Sequence, residues 1–332
     1  MRAFACPVCG RLVTFESLRC LHCGHELGFD WDLREIVARG ERPRCSGYEP
    51  AACNGLVDDG AAWCASCALT RMRPADSDPE GLAGFARAEA AKRRLLFELL
   101  ELDLPVVGWR EREGGLAFDL LSSEHEPVTT GHADGVITLD LGETDHAQRE
   151  RRRQELGEPY RTVLGHMRHE IAHYYQEILA PEGSATRAEC REVFGDDRDD
   201  YATAMERHYE QGPPPGWESR YVSAYATMHP WEDWAETFAH YLHIRDTLQT
   251  ADAYGVRVDG PRVATTDPAP LHSDPAAWMH DVDALLAAWL PLTYALNAIN
   301  RSMGAADVYP FVLTPEVQRK LAFVDRCVRG ET

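Results

Sequence analysis

Eight of the ten cysteines fall between residues 6 and 67, and most come in close pairs. No other feature so narrows what the chain can fold into. A short, polar segment cannot bury enough apolar surface to fold alone, and paired thiols in a chain without secretory features read as metal ligands, not as disulfides. Cys6-Pro-Val-Cys9 and Cys20-Leu-His-Cys23 each offer two thiolates from one bend, which suits the four tetrahedral ligands that Zn²⁺ takes at about 2.3 Å from sulfur. With the strand-like "LVTF" between them, these pairs predict two knuckles on either side of a small β-hairpin, the layout of a zinc ribbon. Cys45, Cys53, Cys64 and Cys67 form a second, less regular set, with seven residues instead of two between its first two members. Two structural zinc sites, each of four cysteines, are therefore expected. His22 and His25 flank the first, but four thiolates suffice and both are expected at the surface. Cys190 and Cys327 stand apart and are expected as small buried apolar side chains.

The charge is unevenly placed. Of a net −20, residues 1–74 hold nine arginines and nine acidic residues, while 75–332 hold 25 basic and 45 acidic. Such a surface repels phosphate backbones, so nucleic acid is a poor partner, and extended or positively charged protein substrates are easier to accommodate. Only two lysines, Lys92 and Lys320, accompany 32 arginines, which reads as compositional bias without functional content. No window of about eighteen apolar residues and no leader-like start are evident, so neither a membrane span nor a signal peptide is expected, and the location expected is cytoplasmic.

The stretch "RPADSDPEG", residues 73–81, reads as a linker and sets a boundary near residue 75, with a zinc-ribbon region over 1–74 and a larger domain over 75–332. A long helix follows over 82–102, then strands in "GLAFDLLSS" and "GVITLDL", the second alternating Ile137, Leu139 and Leu141 on one face. From residue 150 onward the periodicity is helical, over about 158–180, 197–210, 231–248, 275–303 and 314–328. A small sheet followed by helices is an α+β layout.

His169-Glu170-Ile171-Ala172-His173 fits HExxH. Residues four apart share a helix face, so both imidazoles can reach one metal while Glu170, rotated by about 100°, faces a water there. A third ligand is needed. Gln176 and Leu179 stand where a metzincin carries Gly and His, which excludes that subclass. A gluzincin takes a Glu from a later helix, and "YATMHPWEDWAETFAHY", residues 225–241, offers Glu232 just after Pro230, with Glu236 one turn on. His166 is expected on the helix surface, His229 in a turn, and His240 and His243 too far along to ligate the same ion.

The pairing of "GHMRHEIAHYY" with "SAYATMHPWEDWAETFAHYLH" behind a zinc ribbon resembles a family of bacterial zinc-binding metallopeptidases with a zinc-ribbon head, and the likeness extends over "TGHADGVITLDL", "GEPYRTVLGH" and "NAINRSMGAADVYPFVLTPEV". A narrower resemblance is to gluzincins of the anthrax lethal factor type, in which a Tyr precedes the ligand Glu by seven residues and a second acid follows it by four. Tyr225, Glu232 and Glu236 match that spacing. The resemblance implies a zinc ion held by His169, His173 and Glu232, Glu170 as general base, Tyr225 as hydrogen-bond donor to the developing oxyanion, and Glu236 orienting His169. It implies hydrolysis of peptide bonds in a peptide or protein substrate, with "GVITLDL" as the edge on which an extended substrate pairs. The rival reading is a non-catalytic, zinc-stabilised module that recruits protein partners through the ribbon.

Overall fold

Backbone hydrogen bonding explains how the cysteine-bearing segment begins. In the computed structural model, which describes residues 1–124, 127–155, 160–260, 272–273 and 281–332, strands β1 (Phe4–Ala5) and β2 (Leu12–Val13) pair antiparallel, and the Cys6–Cys9 bend joins them. The Cys20–Cys23 bend sits inside a second narrow ladder closed by the bridge from Arg19 to Glu26. Each knuckle is thus the tip of its own hairpin, and no hairpin lies between the two as the spacing predicted. The reason is the turn chemistry. Cys6 N–H donates to Arg11 O (2.8 Å) and Gly10 N–H to Cys6 O (2.8 Å), and Cys20 and Gly24 repeat the pattern (2.9 Å each), which closes the chain on itself at each CxxC-Gly. Gly10 and Gly24 take φ of +69° and +75°, which glycine adopts without strain.

Two compact units, Met1–Met167 and Arg168–Thr332, divide the chain. In the first, β3 (Leu27–Asp30) and β4 (Glu35–Ala38) form a hairpin, followed by a single helical turn α1 (Ala65–Ala68), strand β5 (Thr70–Met72) and the long helix α2 (Pro79–Glu101). Helix α2 starts inside the predicted linker, because Asp78 Oδ1 accepts from Gly81 N–H (2.7 Å) and Pro79 fits the first helical position. Phe97 of α2 packs at 5.4–5.9 Å between ring centroids on Phe4, Phe15 and Phe29, and Arg93 donates to the carbonyls of Ala51 and Ala52. The composition break near residue 75 is therefore not a break in packing.

Strands β6 (Ala117–Leu121), β7 (Gly131–Ala133) and β8 (Val136–Asp140) complete a four-stranded sheet of order β5-β6-β8-β7. Ile137 and Leu139 are buried as the alternation required. Strand β8 is interior, parallel to β6 and antiparallel to β7, so it is not the free edge expected to pair with a peptide. The expectation fails because β7, three residues with no apolar alternation, gives no sequence signal and occupies that edge. Helix α3 (His146–Glu155) and the first residues of α4 (Val163–Leu179) end the unit. The predicted start of α4 near 158 lies outside the described residues, and residues 160–162 are not helical, the Thr162 side chain accepting from Gly165 N–H (2.9 Å) where the helix begins.

The second unit is helical around α7 (Pro230–Ala253), whose Trp234, Phe238, Tyr241, Leu242 and Ile244 are buried on several sides. Packed on α7 are α5 (Ala185–Phe194), α8 (Val282–Ser302) and α9 (Pro315–Arg329). Helix α6 (Tyr201–Gln211) precedes α7, and β9 (Val258–Asp259) pairs with β10 (His272–Ser273). The sequence reading missed α5, which begins at a Ser184 cap where Oγ accepts from Arg187 N–H (3.0 Å). It also missed the apolar run in α8: this is the one described helix long and apolar enough to cross a membrane by length and composition, and its Leu285, Leu286, Trp289 and Leu292 are buried within the unit. The predicted residues 275–280 of that helix lie outside the described ones.

Candidate metal centres

Three groups of potential ligands converge among the described residues, each with its donor atoms within 4.8 Å of one another. Cys6, Cys9, Cys20 and Cys23 form the first. Cys6 Sγ is 3.7 Å from Cys23 Sγ and Cys9 Sγ 3.6 Å from Cys20 Sγ, close to the roughly 3.8 Å edge of a tetrahedron with 2.3 Å metal–sulfur bonds. His22 and His25 are exposed and outside the cluster.

Cys45, Cys53, Cys64 and Cys67 form the second, with all four buried and Cys53 Sγ 3.6 Å from Cys64 Sγ. The structure explains the long gap that made this set look irregular. Cys45 and Cys53 each open a Cys-x-Gly turn, in which the glycine N–H two residues on donates to the sulfur (Gly47 to Cys45 and Gly55 to Cys53, both 3.3 Å), and Cys64 N–H adds a third bond to Cys45 Sγ (3.3 Å). A Cβ at Gly47 would lie 2.7 Å from Cys67 Sγ, and one at Gly55 2.8 Å from Cys64 Sγ. Amide donors to sulfur favour thiolates, and the missing Cβ atoms let four of them crowd together. This is the donor set of a closed zinc site. Cys190 and Cys327 are buried outside any cluster, and burial pushes each thiol up to about 12.

His169, His173 and Glu232 form the third group, within the second unit. Helix α4 sets the two imidazoles one turn apart, with ring centroids 5.0 Å from each other. Pro230 starts α7, so Glu232 emerges from its first turn, and its Oε2 lies 2.9 Å from His169 Nε2 and 3.6 Å from His173 Nε2. Two imidazole nitrogens and one carboxylate oxygen directed at one point form a ligand set with room for a fourth partner. Glu232 Oε1 is engaged separately by the Tyr201 hydroxyl (2.9 Å), which leaves Oε2 for the shared point.

Neighbouring side chains orient these ligands. His169 Nδ1 bonds Glu236 Oε1 (2.7 Å), and Glu236 Oε2 accepts from Ser223 Oγ (2.6 Å), which in turn accepts from Ala226 N–H (3.1 Å). With Nδ1–H given to the carboxylate, Nε2 is the nitrogen that faces the centre, and it would ligate a metal on losing its own proton. Trp231 lies on the His173 ring at 3.7 Å, and Trp234 Nε1–H donates to Ala172 O (2.9 Å), which fastens α7 to α4. His229 caps α7: Nδ1 accepts from Trp231 N–H (3.1 Å), so Nε2 carries the proton donated to Asp199 O (3.0 Å). The predicted turn histidine is thus a clasp between the approach to α6 and the start of α7.

Electrostatics follow from burial. Desolvation opposes the charged form of His169, but its bonds to Glu232 and Glu236 outweigh this and raise its pKa well above the usual imidazole value. Glu236, although buried, is held down to about 2 by His169. Burial raises the Glu170 carboxyl even though His169 and His173 beside it pull the other way. Tyr225 occupies a 3-10 turn with its ring 5.8 Å from that of His169, and desolvation raises its phenol far above the ordinary range. His240 is buried against the Tyr309 hydroxyl (2.6 Å), outside the ligand group, and His166 lies beside Glu143 (3.6 Å), half-buried where a surface residue was expected. Tyr201, Ser223 and Trp231 have no role in the sequence reading; Ser223 and Trp231 fall within the quoted stretch 223–243, but the spacing there singles out only Tyr225, Glu232 and Glu236.

Residues 81–327 match the family model described as "Putative zinc-binding metallo-peptidase", and residues 3–78 match a zinc-ribbon domain. Uncharacterized proteins of Mycobacterium tuberculosis (strains H37Rv and CDC 1551) and Mycobacterium bovis are each 50% identical over 334 aligned positions, covering 99% of this chain and 95% of theirs. No solved structure matches significantly. With the family match spanning most of the chain and the ligand groups at the positions described, this protein belongs to the zinc-binding metallo-peptidase family and carries a zinc-ribbon domain before its peptidase region.

Proposed function

We propose that the His169/His173/Glu232 centre is the active site of a gluzincin-like metallopeptidase and that the two cysteine groups are structural. The observation that carries this reading is the convergence of His169 Nε2, His173 Nε2 and Glu232 Oε2 on one point, with the half-buried Glu170 next to His169 on the same helix. These three residues would hold a zinc ion, which supplies Lewis acidity for polarising a carbonyl and for lowering the pKa of water.

The chain's own groups do the rest. Glu170 accepts the proton of the attacking water at its carboxylate and releases it to the leaving amine, and its raised pKa brings it nearer to the value that serves both transfers at neutral pH. The Tyr225 hydroxyl, kept protonated by burial, donates a hydrogen bond to the carbonyl oxygen as charge builds there. Glu236 and Ser223 hold His169 in one tautomer and orientation.

The test is incubation of the purified protein and its Glu170→Gln variant with a diverse peptide library, with cleavage read by mass spectrometry and metal content measured alongside. Cleavage by the wild type should fall by roughly 10²–10⁴-fold in the variant, with zinc retained. Equal cleavage by a folded, zinc-loaded variant removes Glu170 from the reaction. No cleavage by the zinc-loaded wild type would leave the rival reading of a non-catalytic interaction module.

A further inference from the structure

The chain uses 32 arginines and two lysines, and both lysines are buried, Lys92 at 0% and Lys320 at 3% exposure. Neither lysine contributes to the charged surface, which is left to arginine. Compositional bias explains that surface but not the two exceptions, each of which sits in an enclosed ion pair: Lys92 Nζ on Glu89 Oε1 and Lys320 Nζ on Asp233 Oδ2, both at 2.6 Å. Burial alone does not demand lysine, since Arg93 and Arg168 are buried too. The geometry does. An ammonium concentrates three donors on one atom, whereas a guanidinium spreads five over a planar fork.

At Lys320 that compactness joins separate parts of the second unit. Besides Asp233 Oδ2, Nζ donates to Arg220 O (2.8 Å), and the Tyr221 ring lies 4.2 Å away, within cation–π range. Asp233 directly follows Glu232 on α7. Arg220 and Tyr221 open the segment that carries Ser223, which holds Glu236, and Tyr225. We propose that Lys320 is a positioning residue of the His169/His173/Glu232 centre, its ammonium fixing the Arg220–Tyr225 segment to the first turn of α7 and so setting Tyr225 and Ser223 against the ligands. The inference rests on the proposed hydrolytic reading for its turnover readout, but not for its metal readout.

The experiment uses the full chain in three variants: Lys320→Met, Lys320→Arg, and Lys320→Met with Asp233→Asn, which removes the carboxylate the first variant leaves unpaired and serves if that one does not fold. Folding is followed by circular dichroism. The third centre is loaded with Co²⁺ for its visible d–d spectrum, its zinc affinity is measured by chelator competition, and kcat and KM are determined on a cleaved peptide. The Met-containing variants should lose roughly tenfold to a hundredfold in kcat and in zinc affinity, shift the Co²⁺ bands, and keep zinc in both cysteine sites. Lys320→Arg should restore the charge without restoring kcat or the spectrum. An unshifted spectrum with wild-type affinity in a folded Met variant overturns the proposal, as does full recovery by arginine. If the wild type cleaves no peptide, the functional reading fails while the Co²⁺ comparison still decides the role of Lys320.

Discussion

Around Cys45, Cys53, Cys64 and Cys67 the supporting groups are backbone: three amides donate to sulfur and two glycines leave no space for a larger residue. Around His169, His173 and Glu232 they are side chains, with Glu236, Tyr201 and Trp231 each engaging one ligand. Four thiolates held by their own turns saturate a zinc ion and are expected to act on folding. On the proposed reading, three ligands held by neighbouring side chains leave one coordination position for the reaction, and affinity and reactivity can be altered separately at those neighbours. The contrast is between a site that makes structure and a site that structure makes.

The largest effect is expected where the first kind is broken. Cys45→Ser removes a thiolate that two amides serve, and because structural zinc binding is worth on the order of 10 kcal/mol, the variant should lose its zinc equivalent and melt far below the wild type by circular dichroism. A melting point within a few degrees of wild type would show that this site does not carry the fold. Smaller and more selective effects are expected at the second kind. Tyr201→Phe deletes the bond to Glu232 Oε1 and should weaken zinc binding at that centre by about 10–100-fold in chelator competition. Tyr225→Phe should leave that affinity unchanged and instead cut turnover by roughly 10²-fold. Exchanged outcomes would mean that the two tyrosines have each other's roles.

The smallest effect concerns pH. Burial pushes His240 down to about 4 and His243 to about 3, against about 6.5 for an unfolded imidazole. Between those values the unfolded chain binds more protons than the folded one, so stability is lost as pH falls from about 6.5 toward 4 and is unaffected above it. Denaturant titrations should show about 1 kcal/mol less stability at pH 6 than at pH 8 for each histidine, and His240→Gln should remove its share. A variant with the same pH slope as wild type would show that His240 is not one of the groups responsible.

Legibility in the sequence follows the same contrast. CxxC and HExxH are legible because one bend or one helical turn contains the whole geometry, and Glu232 because Pro230 marks the start of its helix; Tyr225 and Glu236 are singled out only by the resemblance to lethal-factor-type gluzincins. The Cys-x-Gly turns at Cys45 and Cys53 are equally local, but their signal lies in the glycine two residues beyond each cysteine and not in the distance between the cysteines. Tyr201, Ser223, Trp231 and Lys320 could not be read, since each makes its contact through tertiary packing: Tyr201 and Trp231 with a ligand, Ser223 with Glu236, and Lys320 with Asp233 from 87 residues away. Topology was opaque for a related reason. The alternation in β8 announces one buried face and says nothing of how many neighbours the strand has, so an interior strand passed for an edge.

The central claim is that the histidine–glutamate centre is open and reactive while the cysteine sites are closed and structural. Its most direct test is to titrate the wild-type protein with a mild chelator while following zinc released and peptide cleaved in the same sample. One zinc equivalent should leave first and take all activity with it, while the thiolate-bound zinc and the circular dichroism remain, and the His169→Ala variant should lack that first equivalent from the start. Cleavage that survives loss of the first equivalent, or zinc leaving the cysteine sites before the histidine centre, would contradict the account.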